Sequence, residues 1–361
     1  MVRVGIIGIG FMGVTHYKAL QNVKGARVTA ISTRNARKLS GDWRDIQGNF
    51  GGSGGVQDLS RIARYENHDD LIADDKIDLV SICLPTHLHR EVTIAALQAG
   101  KHVLVEKPIA LSLKDADAMI AAAERTGRML MVGQVLRFFP AFAEARAIAT
   151  EGKYGALLSA HLKRIISMPA WATDDHFTDV SKSGGPAIDL HIHDTDFVHY
   201  LAGVPRRVQS SGVVAANGAV TYVQTQYLYE GSTPCITAQS GAIAMSGLMF
   251  EHGYDVYLEK ATLRFNNLAT GEDVVLYTAD GKQKSYRPRR KEAFTAQLQH
   301  AVDCVSSGKE SDIIAAPLAC QALAVCLKEQ QAVLSGKPVK IRLSVVKEQK
   351  SATQSNRHNT A

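Results

Sequence analysis

The run Gly184, Gly185, Pro186, Ala187, Ile188, Asp189, Leu190, His191, Ile192, His193, Asp194 sets carboxylates and imidazoles beside a glycine pair. Pro186 suits the first turn of a helix, and Gly203 followed by Pro205 suits its end. On one helix across that interval Asp189 and His193 are four apart and share a face, while His191 points elsewhere. A carboxylate and an imidazole on one face, next to glycines that let a ligand approach, form an acid/base candidate, because histidine titrates near working pH. Structural hydrogen bonding, with His193 as a core histidine, is the competing reading. A metal site is the third, but His191 and His193 diverge on a helix and no further ligand has a suitable spacing, so no metal is expected.

Strand ends are the other places to look for chemistry. The apolar run Val2 to Ile7 breaks into Gly8, Ile9, Gly10, Phe11, Met12, Gly13, read as the first strand and phosphate loop of a nucleotide-binding fold. The first glycine permits a tight turn, the second brings bare backbone to a pyrophosphate, and the third lets the helix pack closely on the sheet. The following helix N-terminus presents free N–H groups to the anion. A helix over 14–23 and a strand over 27–32 complete a β-α-β unit, which ends in Ser32, Thr33 and Arg34. Folds that prefer NAD place a carboxylate there for the ribose 2′-hydroxyl. Hydroxyls and a guanidinium suit a 2′-phosphate instead, so NADP is favoured over NAD.

The elements that must position these groups follow from periodicity. Residues 48–55 form a glycine-rich loop. A buried strand over 78–84 ends in Pro85, Thr86, His87, Leu88, His89; a helix over 90–99 closes at Gly100. The strand over 101–105 stops at Glu106, Lys107, Pro108, and the next helix carries the capping spacing Ser112 to Asp115 and ends at Gly127. A strand over 129–132 follows. Strand and helix alternating in this way imply a doubly wound, mostly parallel sheet to about residue 134, with ligands beyond the carboxyl ends of its strands. From about residue 156 the alternation becomes that of antiparallel strands with one packed face, over 159–165, 207–214, 220–229, 254–259, 262–265 and 274–278, the last turning at Asp280 and Gly281. Helices over 291–306 and 317–335 should return to the junction between the two sheets. The expected division is a dinucleotide-binding domain over 1–134, a substrate and oligomerisation domain over 135–345, and a polar tail over 346–361.

Bulk properties set the limits. A chain of 361 residues suits two domains, and 45% hydrophobic with 21% charged residues is a soluble composition. No leader pattern and no membrane-length apolar run stand out, so a cytoplasmic location without a membrane partner is expected. Cysteines at 83, 235, 304, 320 and 326 lack C-x-x-C spacing and are odd in number, which points to reduced, mostly buried thiols. A net charge of +6 with interspersed signs argues against a nucleic-acid partner. The basic run Lys282, Lys284, Arg287, Arg289, Arg290, Lys291 could meet an anionic ligand or a partner, but a solvated turn entering a helix is the favoured reading.

Gly8, Gly10 and Gly13, Pro85 with His89, Glu106-Lys107-Pro108, and Asp189 with His193 together resemble the Gfo/Idh/MocA family, that of glucose-fructose oxidoreductase and inositol dehydrogenase. The resemblance spans almost the whole chain, and E-K-P with D-x-x-x-H is far more specific than the glycine loop. It implies a Rossmann domain followed by an α/β domain with a large open, mostly antiparallel sheet, through which a homo-oligomer, dimer or tetramer, would form. It also implies hydride transfer between a nicotinamide and a sugar, polyol or related carbonyl, with Lys107, Asp189 and His193 as the catalytic triad. In that chemistry His193 takes the hydroxyl proton, Lys107 stabilises charge on the reacting oxygen, and Asp189 orients or tunes both. The implied cofactor contacts are Gly8, Gly10, Phe11, Met12, Gly13, Ser32, Thr33, Arg34, Leu84, Pro85, His89, Glu106, Lys107 and Gln134. Arg137, Trp171 and His176, the last near Asp174 and Asp175, are candidate substrate contacts, with a hinge role as the alternative for Gln134 and Arg137. Thr86 stands where many relatives carry Asn. Two other activities stay open: glycoside cleavage with a tightly held NAD that is transiently reduced, and a non-catalytic dinucleotide sensor.

Overall fold

The structure, a computed structural model, describes residues 1–48, 52–168, 179–231 and 233–342. Trp171, Asp174, Asp175, His176 and the polar tail lie outside the described residues.

The first part alternates strand and helix as the apolar runs require: β1 (Val2–Ile7), α1 (Phe11–Leu20), β2 (Ala26–Ser32), α2 (Ala36–Leu39), β3 (Ala63–Tyr65), α3 (His68–Ala73), β4 (Leu79–Ile82), α4 (His89–Gln98), β5 (His102–Val105), α5 (Leu113–Thr126) and β6 (Leu130–Val132). Its strands pair in parallel in the order β3-β2-β1-β4-β5-β6. All four residues of β4 are buried, as a strand covered on both faces demands. The order reverses between β1 and β4, which opens a crevice at the carboxyl ends of those strands. Caps set the helix ends. The Ser112 hydroxyl oxygen accepts the Asp115 N–H at the start of α5, and Gly127, at φ 61°, closes it.

The second part begins with α6 (Pro140–Thr150) and continues through β7 (Leu157–Ser167), α7 (Val180–Ser183), α8 (Pro186–Asp189), α9 (Ile192–Ala202), β8 (Arg207–Val214), β9 (Val220–Leu228), β10 (Cys235–Ala244), β11 (Glu251–Leu258), β12 (Ala261–Asn266), β13 (Val274–Thr278), β14 (Gln283–Tyr286), α10 (Ala293–Ser307), α11 (Ala316–Ser335) and β15 (Val339–Lys340). Nine strands pair in the order β14-β13-β12-β11-β7-β10-β9-β8-β15, and only β7 with β10 is parallel. This is the α/β architecture expected: a doubly wound parallel sheet plus a mostly antiparallel one.

Several elements escape the periodicity. Strand β3 is three residues at a sheet edge and α3 is six, while α6, with eleven, goes unread. Strand β10 sits centrally, yet its buried face is Ile236, Ala238, Ser240 and Ala242, too small and polar for a strong apolar signal. Nor is the basic run a simple turn. Part of it forms the edge strand β14, Arg287 meets Glu272 and Asp273, and Arg290 meets Glu144. Cys304, Cys320 and Cys326 are buried, Cys83 is half-buried and Cys235 exposed, all with free thiols. Among the described residues no helix is long and apolar enough to cross a membrane.

The last two long helices do return to the first sheet. Phe294, Leu298, Ala301 and Val302 of α10 share a core with Val4, Ile6, Leu79 and Leu104 of the parallel strands. Helix α11 divides its faces: Ala319, Ala322 and Leu323 join the parallel-sheet core, while Val325 and Ala332 join the core of the second sheet. Arg137, read from sequence as a substrate contact or a hinge residue, sits at this junction. Its guanidinium donates at 2.8 and 2.7 Å to the two oxygens of Asp196, in a pair 2% and 0% exposed, and its Nη1 donates to the Ile313 carbonyl. All its donor edges face protein. Removing one partner strands a buried charge, so Asp196→Ala is expected to cost about 3–5 kcal/mol in chemical denaturation. A loss near zero would show that the pair does not hold the junction.

Candidate active site

The phosphate loop shows three distinct glycine roles. Gly8 has φ 92°, and a Cβ there would stand 2.6 Å from the Cys83 carbonyl oxygen. A Cβ at Gly13 would overlap the Gly8 carbonyl oxygen, so α1 packs that closely on the turn. At Gly10, by contrast, a Cβ would meet nothing within 4 Å. The bare backbone there faces open space at the start of α1, where a pyrophosphate fits. Gln134, just after β6, is buried with both amide atoms lacking a partner among the described residues, which also suits a bound group at the junction. At the end of β2 the Ser32 carbonyl accepts the Gly8 N–H, while Arg34 is exposed with no partner among the described residues.

His89 and Glu106 sit one layer behind that surface. The ring nitrogens of His89 lie 2.9 Å from the Pro108 and Leu84 carbonyl oxygens, so this buried side chain ties together the ends of β4 and β5. Glu106 is buried too. One of its oxygens lies 3.0 Å from His16 Nε2, off the line of an ideal hydrogen bond and so held by charge, and the other accepts the Lys107 N–H at 3.3 Å. Burial pushes the His16 imidazole down, but Cys83 and Glu106 outweigh it and carry it up to about 10. His16, three residues past Gly13 on α1, thus links the phosphate-loop helix to the E-K-P segment. A buried histidine on a helix gives no sequence signal for that role.

The single helix read across 186–203 is in fact two. Helix α8 ends at Asp189 and α9 starts at Ile192. The His193 N–H bonds the Leu190 carbonyl in a tight turn, rather than the Asp189 carbonyl as an uninterrupted α-helix requires. The Asp189 carbonyl accepts the Lys107 ammonium at 2.8 Å, and the same ammonium reaches Asp189 Oδ1 at 3.1 Å. Both side chains are largely covered, 15% and 11% exposed. Pro186 in the first turn of α8 and Gly203 closing α9 stand as expected.

His193 follows within that turn. Burial, reinforced by the positive charges of Lys107 and Arg164, pushes its imidazole well below the usual histidine range. Its Nδ1 is buried without a hydrogen-bond partner among the described residues. His252 of β11, another neighbour acting on His193, is pushed down to about 3 by burial and then by Arg164. The arrangement is therefore a fixed cation beside an uncharged base, which suits proton transfer at an oxygen that gains negative charge. Among the described residues no group of three His, Cys, Asp or Glu converges as metal ligands.

Both parts of the chain match known proteins. Residues 2–134 match the oxidoreductase family with an NAD-binding Rossmann fold, and residues 142–264 match the GFO/IDH/MocA C-terminal domain. The chain is 27% identical over 319 residues to the scyllo-inositol 2-dehydrogenase (NAD(+)) of Bacillus subtilis, covering 85% of this chain and 87% of that one. It is 32% identical over 203 residues to the myo-inositol 2-dehydrogenase of Thermotoga maritima, covering 56% and 55%. In fold it is similar to levoglucosan dehydrogenase solved with NADH and levoglucosan, with TM-score 0.80 and 19% identity over 95% of this chain and 100% of that one.

The glycine geometry separates two variants. Gly10→Ala should leave the thermal midpoint unchanged yet weaken NADH binding by roughly tenfold or more, about 1.4 kcal/mol, because its methyl group enters the anion's space. Gly13→Ala should lower the midpoint as well. Equal NADH affinity in Gly10→Ala and the parent, by fluorescence titration, would remove the loop from the binding site.

Proposed function

The chain belongs to the Gfo/Idh/MocA family of NAD-binding oxidoreductases, and from that membership we propose that it interconverts a sugar or polyol hydroxyl and the corresponding carbonyl at Lys107, Asp189 and His193. The observation that carries this reading is the Lys107 ammonium, held by Asp189 beyond the carboxyl end of β5, beside an uncharged His193. Relatives named for inositol oxidation support the substrate class.

The nicotinamide, when bound, supplies hydride acceptance or donation. The rest is the work of this chain's own residues. Gly8, Gly10 and Gly13 would cradle the pyrophosphate, with Phe11, Met12, Leu84, Pro85 and Gln134 alongside. His193 takes the hydroxyl proton during oxidation and returns it during reduction, and the charges that hold it neutral keep it ready to accept. Lys107 sets a positive charge against the reacting oxygen, and Asp189, gripping the ammonium through both carboxylate and carbonyl, spares it from reorganising as charge develops. Glu106 and His89 fix the ends of β4 and β5, so their part is to position Lys107 rather than to touch the dinucleotide. The 1–134 and 135–345 division follows from the same reading, the crevice between the two sheets being the substrate site. The open face of the nine-stranded sheet, where Leu158, Val213 and Tyr277 stand exposed, is the surface proposed for a homo-oligomer.

Cofactor choice rests on Arg34. Its guanidinium, exposed and without a partner among the described residues, beside Ser32 and Thr33 and with no carboxylate among these three residues, supports NADP over NAD.

Two experiments test the proposal. In a panel of inositols, aldoses and anhydrosugars followed at the nicotinamide absorbance, Lys107→Ala should lower turnover by roughly 10²-fold or more while NADH still binds. Unchanged turnover would sink the assignment. Because His193 is held below its ordinary 6.5, the acidic fall in kcat/KM for oxidation should lie below that pH, with His193 a free base above it; a limb centred at or above 6.5 would contradict the base assignment. Separately, Arg34→Ala should weaken NADPH much more than NADH, and equal losses would show that Arg34 does not read a 2′-phosphate.

A further inference from the structure

A second histidine, two residues from His193, has the opposite electrostatic setting. Its surroundings can be resolved atom by atom. His191 is fully buried, with Nδ1 2.7 Å from Ser240 Oγ on β10. The Ser240 hydroxyl donates its one proton to Asp194 Oδ2 at 2.6 Å, so toward His191 it can only accept, and Nδ1 must carry hydrogen. His191 Nε2 lies 3.3 Å from Glu329 Oε1 on α11, off the ideal hydrogen-bond line. A bare lone pair facing that carboxylate would be repelled, so Nε2 carries hydrogen too. Both nitrogens protonated make an imidazolium. Burial opposes this charge, but Glu329 and then Asp194 outweigh it against Arg164, and His191 is raised above the usual histidine range.

The other contacts close a ring. Glu329 Oε2 accepts the Thr195 hydroxyl at 2.6 Å, and Tyr227 and Cys326 also border this carboxylate. Asp194 receives Arg164 of β7 at 2.9 and 3.1 Å. His191, Asp194 and Thr195 stand at i, i+3 and i+4, one face of the first turn of α9. The sheet grips that face through Ser240 and Arg164, and α11 grips it through Glu329. His193 is the partly exposed member of the turn, while 191, 192, 194 and 195 are buried.

We propose that His191 and Glu329 are positioning residues, a buried imidazolium–carboxylate clamp that fixes the first turn of α9 so that His193 is presented to the reacting oxygen. This rests on His193 being the base, and its deciding readout is spectroscopic and needs no turnover, so failure here stays distinct from failure of the Lys107 experiment. Full-length protein with ¹⁵N-labelled histidine, with and without NADH, is examined by long-range ¹H–¹⁵N correlation. At about pH 8, where an ordinary histidine is neutral, a doubly protonated imidazole should appear besides that of His16, which is raised to about 10, and it should be absent from His191→Gln. In Glu329→Gln that signature should vanish and the His193 resonances and titration should shift, with Glu329→Asp restoring them in part. Thr195→Val, which loosens Glu329 without removing its charge, should move His193 in the same direction and serves if Glu329→Gln fails to fold. On an accepted substrate, kcat should fall roughly tenfold with KM unchanged in these variants, as misplacement of a reacting group gives. A neutral His191 in the parent, or His193 signals unmoved in folded Glu329→Gln or Thr195→Val, would overturn the clamp.

Discussion

An ammonium at the end of one sheet meets a carbonyl at a helix break beside the other, and the rest of the site is arranged around that meeting. Lys107 and Asp189 are 82 residues apart, and neither end of the contact exists alone. The carbonyl is available because the tight turn after α8 diverts the His193 N–H to Leu190. The ammonium is in reach because His89 and Glu106 hold the end of β5. A helix continuous through 186–203 would spend the Asp189 carbonyl internally and leave Lys107 only the carboxylate.

Burial opposes the charged form of every histidine around this centre, so the side chains facing each ring decide its state. His16 faces Glu106 and Cys83 and is raised to about 10; His191 faces Glu329 and Asp194 and is raised as well. His193 faces Lys107 and Arg164 and His252 faces Arg164, and cations reinforce burial in lowering both. The two charged rings lie behind the site and tie elements together, as does His89, which burial lowers. His193 is the neutral ring beside Lys107. Residue type is identical in the two groups, and only the neighbours differ.

Rigidity comes from the two long C-terminal helices. Helix α10 completes the core of the parallel sheet, and α11 has one face in each core, so the two sheets cannot move apart without exposing apolar surface. The Arg137–Asp196 pair adds a polar constraint at the same junction, and its burial makes it costly to break rather than strongly stabilising in itself.

Much of this was legible in the sequence because it is local. Glycine spacing after an apolar run, the alternation of strand and helix, and the segments E-K-P and D-x-x-x-H each lie within a few residues, where backbone sterics and helical or strand period act directly. The break after Asp189, the small-residue strand β10, the pairing of His16 with Glu106, the confinement of Arg137 and the grip of Glu329 on His191 were not. Each depends on groups brought together from distant parts of the chain, 59 residues apart for Arg137 and Asp196 and 134 for Thr195 and Glu329. Sequence by itself determined most of the strand and helix alternation and singled out the side chains proposed for the chemistry. Tertiary structure alone decided which histidine is charged, which arginine is already paired and where the helix breaks, because charge state and hydrogen-bond choice depend on burial and on neighbours that only the folded chain supplies.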